Sequence, residues 1–188
     1  MILDQQLFRN YNELYTLILN CYKYNSILKA YEKMQKEKSD LYNRVPHISN
    51  CFVLLVQKDL ALTLWKIYYD KDPNANTVPR FRNTINELLR DSGCNDKQIK
   101  QEKINKSTKN KLTTLRKKYL AHVDMKRNDN RIEIRELEEL LNGICRDFNR
   151  VCDVIDNDQI SNISQMNIDL QHMYYYTELF VLYEHLDS

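Results

Sequence analysis

Two glycines and three prolines are all that 188 residues offer for tight turns. Hairpins draw on those residues at nearly every reversal, so a sheet-rich fold lacks its turn chemistry here. What the chain carries instead is long apolar periodicity at helical spacing. Leu7, Tyr11, Leu14, Ile18, Cys21 and Leu28 follow a 4-3 pattern, with Asn25 in the one polar slot. The clearest series is Leu137, Leu141, Ile144, Phe148, Val151 and Ile155. These patterns predict an all-α fold, a helical bundle of about six helices in a single domain spanning 1–188.

In chain order, the first helix is expected to begin near Asp4, with a break near Asn25-Ser26 as one option, and Pro46 to close that segment. A second helix is predicted over Ile48–Asp70, with Val53, Val56, Leu60, Leu64 and Ile67 on one stripe and Leu54, Ala61, Trp65 and Tyr68 on another side. A helix apolar around so much of its circumference belongs at the centre of a bundle. Asp72-Pro73-Asn74 reads as a loop. Val78, Phe81, Ile85 and Leu88 then face inward on a short third helix with Pro79 in its first turn and Asp91-Ser92-Gly93 at its end. Lys97 to Arg127 reads as the fourth helix, with a late or frayed start as one option because Lys97 to Lys111 is poorly apolar. The fifth holds the Leu137–Ile155 series, and the sixth starts near Ser164.

Net charge is only +2, but it is unevenly spread. From Asp96 to Arg127 the chain carries a net +8, and from Glu133 to the C-terminus a net −9. Such a pairing suits a polyanion site on one face, or complementarity between neighbouring helices. Five cysteines, Cys21, Cys51, Cys94, Cys145 and Cys152, form no C-x-x-C pair, which argues against a disulfide framework or a structural zinc site. Cys21, Cys145 and Cys152 fall on or beside apolar stripes and are expected in the core. No metal and no cofactor is expected. The start MILDQQLFRN lacks a basic region followed by an apolar run, and no stretch reaches the roughly 20 apolar residues of a membrane span. The chain therefore reads as cytoplasmic, with no membrane partner. Tyr174-Tyr175-Tyr176 lies in the acidic third and is expected to pack rather than to stack nucleobases.

The most basic helix ends in LTTLRKKYLAHVDMKR, residues 112–127. Leu112, Leu115, Tyr119 and Val123 form its apolar stripe, and Arg116 and His122 flank that stripe on opposite sides. On a straight helix the two lie about 120° apart with about 9 Å of rise. A kink, a helix end or a second subunit is needed to bring them together. The string Leu115-Arg116-Lys117-Lys118-Tyr119-Leu120-Ala121-His122-Val123-Asp124 resembles the R-x(4–6)-H motif of the HEPN superfamily, the higher-eukaryote-and-prokaryote nucleotide-binding domains. It looks most like the abortive-infection branch. Lys117 stands where many members carry a small polar residue. Asp124 stands where a sub-group paired with minimal nucleotidyltransferases carries Tyr, so the resemblance does not extend to regulatory adenylylation.

The resemblance implies a metal-independent endoribonuclease that acts as a homodimer, a toxin or phage-defence effector that an antitoxin or regulatory protein would restrain. In that reading His122 is the acid/base for the ribose 2′-hydroxyl and Arg116 holds the scissile phosphate. Lys117 and Lys118 attract RNA, and Asp124 assists across a dimer or a bent backbone. The alternative is a non-catalytic HEPN-like helical dimer that binds a partner protein, and Lys117 leans that way. An ordinary core histidine in an unrelated helical protein is the third reading.

Overall fold

The computed structural model describes residues 4–43, 46–103, 106–121, 132–155 and 158–185. Among them the chain forms helices α1 (Gln5–Glu37), α2 (Ser39–Tyr42), α3 (Pro46–Tyr69), α4 (Val78–Asp91), α5 (Lys106–Ala121), α6 (Ile134–Cys152) and α7 (Gln165–His185), and no strand. The helix starts are written locally. Asp4 accepts the Leu7 amide at 2.7 Å to cap α1, and Thr77 accepts the Arg80 amide at 3.3 Å to cap α4. Gly93 takes φ 76°, the left-handed turn that ends α4.

Helix α6 is the axis of the core. Leu137, Leu141, Ile144, Phe148 and Val151 are fully buried, and each such side chain contributes roughly 1.5–3 kcal/mol. Helix α1 lies along α3, α6 and α7, while α4 packs on α6 and α5 bridges α3 and α6. Phe148 stacks between Tyr11 of α1 and Phe81 of α4, with centroids 5.7 Å and 6.3 Å away. The core also holds a charged pair: Arg82 of α4 bonds Asp147 of α6, and Tyr68 of α3 donates to the same carboxylate at 3.0 Å. Burial, then the Asp147 charge, pushes the Tyr68 phenol up to about 12. Cys21, Cys145 and Cys152 are buried as expected, and burial raises all three thiols.

Helix α1 takes the continuous one of its two options through Asn25 and Ser26, where both are buried and tertiary packing overrides their weak helix propensity. Other expectations need correction. Pro46 opens α3 instead of merely closing the segment before it, since its missing amide costs nothing in a first turn. The buried leucine at the end of α4 is Leu89, with Leu88 only half-buried. Helix α5 takes the late-start option, beginning at Lys106, and a 3-10 turn occupies Asn95–Lys97. The Asn86 side chain explains this start. It accepts the Ile99 amide at 2.8 Å and donates to the Ile99 carbonyl at 3.0 Å, so that backbone is bonded sideways instead of along a helix.

Helix α3 is central only toward its C-terminus. Leu60, Leu64 and Ile67 are fully buried, whereas Ile48, Leu54 and Leu55 are more than half exposed. By length and composition alone α3 is also apolar enough to cross a membrane, at a mean hydropathy of 1.2, although 33% of its most apolar stretch is buried inside the bundle.

Candidate functional site: a groove between α3 and α5

Each face of α5 meets a different neighbour. Leu112 is buried and Leu115 packs on the same core, so this stripe fixes the rotation of the helix. Lys111 then points at α6 and bonds both carboxylate oxygens of Glu136, at 2.6 Å and 2.8 Å. That bond, followed by the Glu133 amide, holds the Glu136 carboxyl below the usual carboxylate range. Glu102 meets Arg146 at 3.2 Å and Arg150 at 2.7 Å on the same side. Lys111 with Glu136 thus realises the complementarity of the basic and acidic segments between α5 and α6, while the Glu102 pairs join minority charges of the two segments.

The opposite side of α5 faces α3 across a groove of about 720 Å³. Trp65 and Tyr69 of α3 form one wall, and Lys109, Asn110, Thr113 and Arg116 of α5 form the other. Arg116 is half-buried, with its guanidinium carbon 3.7 Å from the centre of the Trp65 ring. The Lys109 ammonium sits 5.4 Å from the centre of the Tyr69 ring. The order of the contacts is reversed, Trp65 and Tyr69 a turn apart on α3 seating Arg116 and Lys109 two turns apart on α5, as in an antiparallel pair. Each seat is worth between about 0.5 and 2 kcal/mol, more as water is excluded. Among the described residues neither Arg116 nor Lys109 forms an ion pair. A guanidinium lying on a ring face keeps its N–H donors at its edges, free for an oxyanion.

The sequence-derived site is only partly within view. Arg116 lines the groove, and Lys117 is exposed and does not line it. Lys118 lies on α5, but its side chain is outside the described residues, as are His122 and Asp124 altogether. The expected convergence of Arg116 with His122 therefore lies outside them too. Tyr176 packs as anticipated, donating to Glu37 at 3.2 Å beneath the Lys33 ammonium, while Tyr174 is exposed.

Reading α5 alone missed Trp65, Tyr69 and Lys109. The available signal was the pair of aromatics one turn apart on α3, off the main stripe, together with lysines in a segment of excess positive charge. Among the described residues no three His, Cys, Asp or Glu side chains gather as a metal site.

Comparison with curated proteins and with solved structures finds no match. The AbiU2 family profile of HEPN domains, however, matches residues 4–174, a span that takes in α1 to α6, the groove and the whole R-x5-H string. The chain therefore belongs to the AbiU2 family, in the abortive-infection branch of the HEPN superfamily.

Proposed function

We propose that the chain is a metal-independent endoribonuclease of the HEPN type, active as a homodimer in an abortive-infection or toxin–antitoxin setting in the cytoplasm. The observation that carries this reading is the state of Arg116. It is the motif arginine, and it is held on Trp65 at the edge of an open groove, with no carboxylate paired to it among the described residues. A preorganised, unpaired guanidinium is what a phosphate transition state requires. His122, six residues on, supplies the imidazole that general acid/base chemistry calls for. It takes the proton of the ribose 2′-hydroxyl as the O2′–P bond forms and the P–O5′ bond breaks, and a proton returned to the 5′-oxygen completes the step. The products are a cyclic or 3′-phosphate and a 5′-hydroxyl end.

The purified protein on total RNA tests this. Cleavage should persist in EDTA and fall by at least about 10²-fold in His122→Ala. Arg116→Lys should restore only part of what Arg116→Ala loses, because lysine lacks the bidentate fork. Equal cleavage by wild type and His122→Ala would sink the reading.

A second reading keeps the bundle and drops the chemistry: a helical dimer that binds a protein partner. The exposed Ile48, Leu54 and Leu55 of α3 and Met173, Tyr174 and Leu182 of α7 favour it, since side chains of this size are commoner at interfaces than free in water. The same RNA assay separates the two.

A further inference from the structure

The groove continues well beyond Arg116. Arg116 and Lys109 share one face of α5 with about 10 Å of rise between them, seven residues at helical pitch. Each cation is held on its own ring, so successive phosphates of one strand can each meet one of them. Past Lys109 the groove ends at Asp70, Lys71 and Asp72, two carboxylates to one ammonium, and the carboxylates accept the Asp72 amide at 3.1 Å and the Asn74 amide at 2.8 Å. Those carboxylates repel phosphate, so the stretch favourable to a polyanion is bounded by Arg116 at one end and Lys109 at the other.

Resting on the ribonuclease reading, we propose that Lys109, seated on Tyr69, forms a second phosphate subsite, and that the substrate is single-stranded RNA lying along the α3–α5 seam. The single strand follows from the dimensions. The groove has room for a nucleotide or two, whereas a duplex would span both helices from outside. Lys111 provides an internal control, because it is on the same helix and already bonded to Glu136.

The test measures binding, not cleavage, with a fluorescent single-stranded oligodeoxynucleotide octamer and a matched dinucleotide. Neither has a 2′-hydroxyl, so neither can be cut by the proposed chemistry. Lys109→Ala should weaken octamer binding by about fivefold or more and flatten its log–log salt slope by about 0.7, one phosphate on a single strand. Dinucleotide binding should not change. Lys109→Gln should behave as Lys109→Ala, Lys109→Arg should stay near wild type, and Lys111→Ala should leave the slope alone. Tyr69→Leu should weaken the octamer less than Lys109→Ala does. An octamer affinity and slope indifferent to Lys109, or equally sensitive to Lys111, overturns the proposal. If wild type cleaves in a His122-dependent manner while Lys109→Ala binds and cleaves normally, only the subsite falls. If nothing is cleaved but octamer binding still depends on Lys109, the subsite stands and the catalytic reading falls.

Discussion

Charge is handled in opposite ways on the two sides of the α3–α5 pair. Toward α6 it is matched: Arg82 with Asp147 deep in the core, Lys111 with Glu136, and Glu102 with two arginines. Toward the groove it is left unmatched and set on rings, Arg116 on Trp65 and Lys109 on Tyr69. The change of regime takes a single residue of α3. Tyr68 serves the buried carboxylate, and Tyr69, 100° further round, serves the groove. A matched pair fixes architecture because its field is spent internally. A cation on a ring is positioned but keeps its charge available to a ligand.

The largest expected effect lies on the matched side. Asp147→Ala strands the Arg82 guanidinium in the core and should cost about 3–5 kcal/mol in urea unfolding. Replacing both members by apolar residues should recover much of it. A loss under about 1 kcal/mol would mean that water already reaches the pair, and the contrast between the two sides would blur.

Trp65→Leu comes next, on the unmatched side. It should lower RNA cleavage about tenfold by releasing Arg116 from its ring, within the range of a partly buried cation–π contact. Trp65→Phe should recover part of the rate, and both must be compared at a temperature where each is folded, since Trp65 is itself mostly buried. Cleavage unchanged in Trp65→Leu would remove the seat from the argument.

The smallest effect belongs to Lys111 and Glu136. The folded-state pKa of Glu136 is depressed, so the stability it contributes is present above the ordinary carboxylate range and is lost as pH falls through the depressed value. Wild type and Lys111→Ala should therefore differ by about half a kcal/mol at neutral pH, and that gap should close in acid thermal melts. A gap that persists in strong acid contradicts the assignment.

The sequence made some of this legible and hid the rest for definable reasons. The α6 stripe was plain because a helix in the middle of a core repeats its apolar residues without interruption, and Leu137 to Val151 of that series are buried on it. The helix itself ends at Cys152, short of the expected end, and Ile155 is buried just beyond it. The end of α4 was plain because Gly93 is nearly alone of its kind. The late start of α5 was hinted at by the poorly apolar Lys97–Lys111 stretch, but the Asn86 side chain reaching thirteen residues along the chain to bond Ile99 was hidden. Arg116 was found through its local string. Its seat on Trp65 was not, because a contact between helices 51 residues apart leaves no trace in either helix's own period.

Cys51 has a practical consequence of its own. It lies in the exposed first half of α3, between Ile48 and Leu54, whereas Cys21, Cys145 and Cys152 are shut inside and Cys94 is half-buried. The wild-type chain thus comes with its own attachment point for a maleimide dye or spin label, on the stretch of helix that is least covered by the rest of the fold. Anything that settles on that stretch will slow the labelling or shift the label's spectrum, so occupancy of this face can be followed without altering a residue.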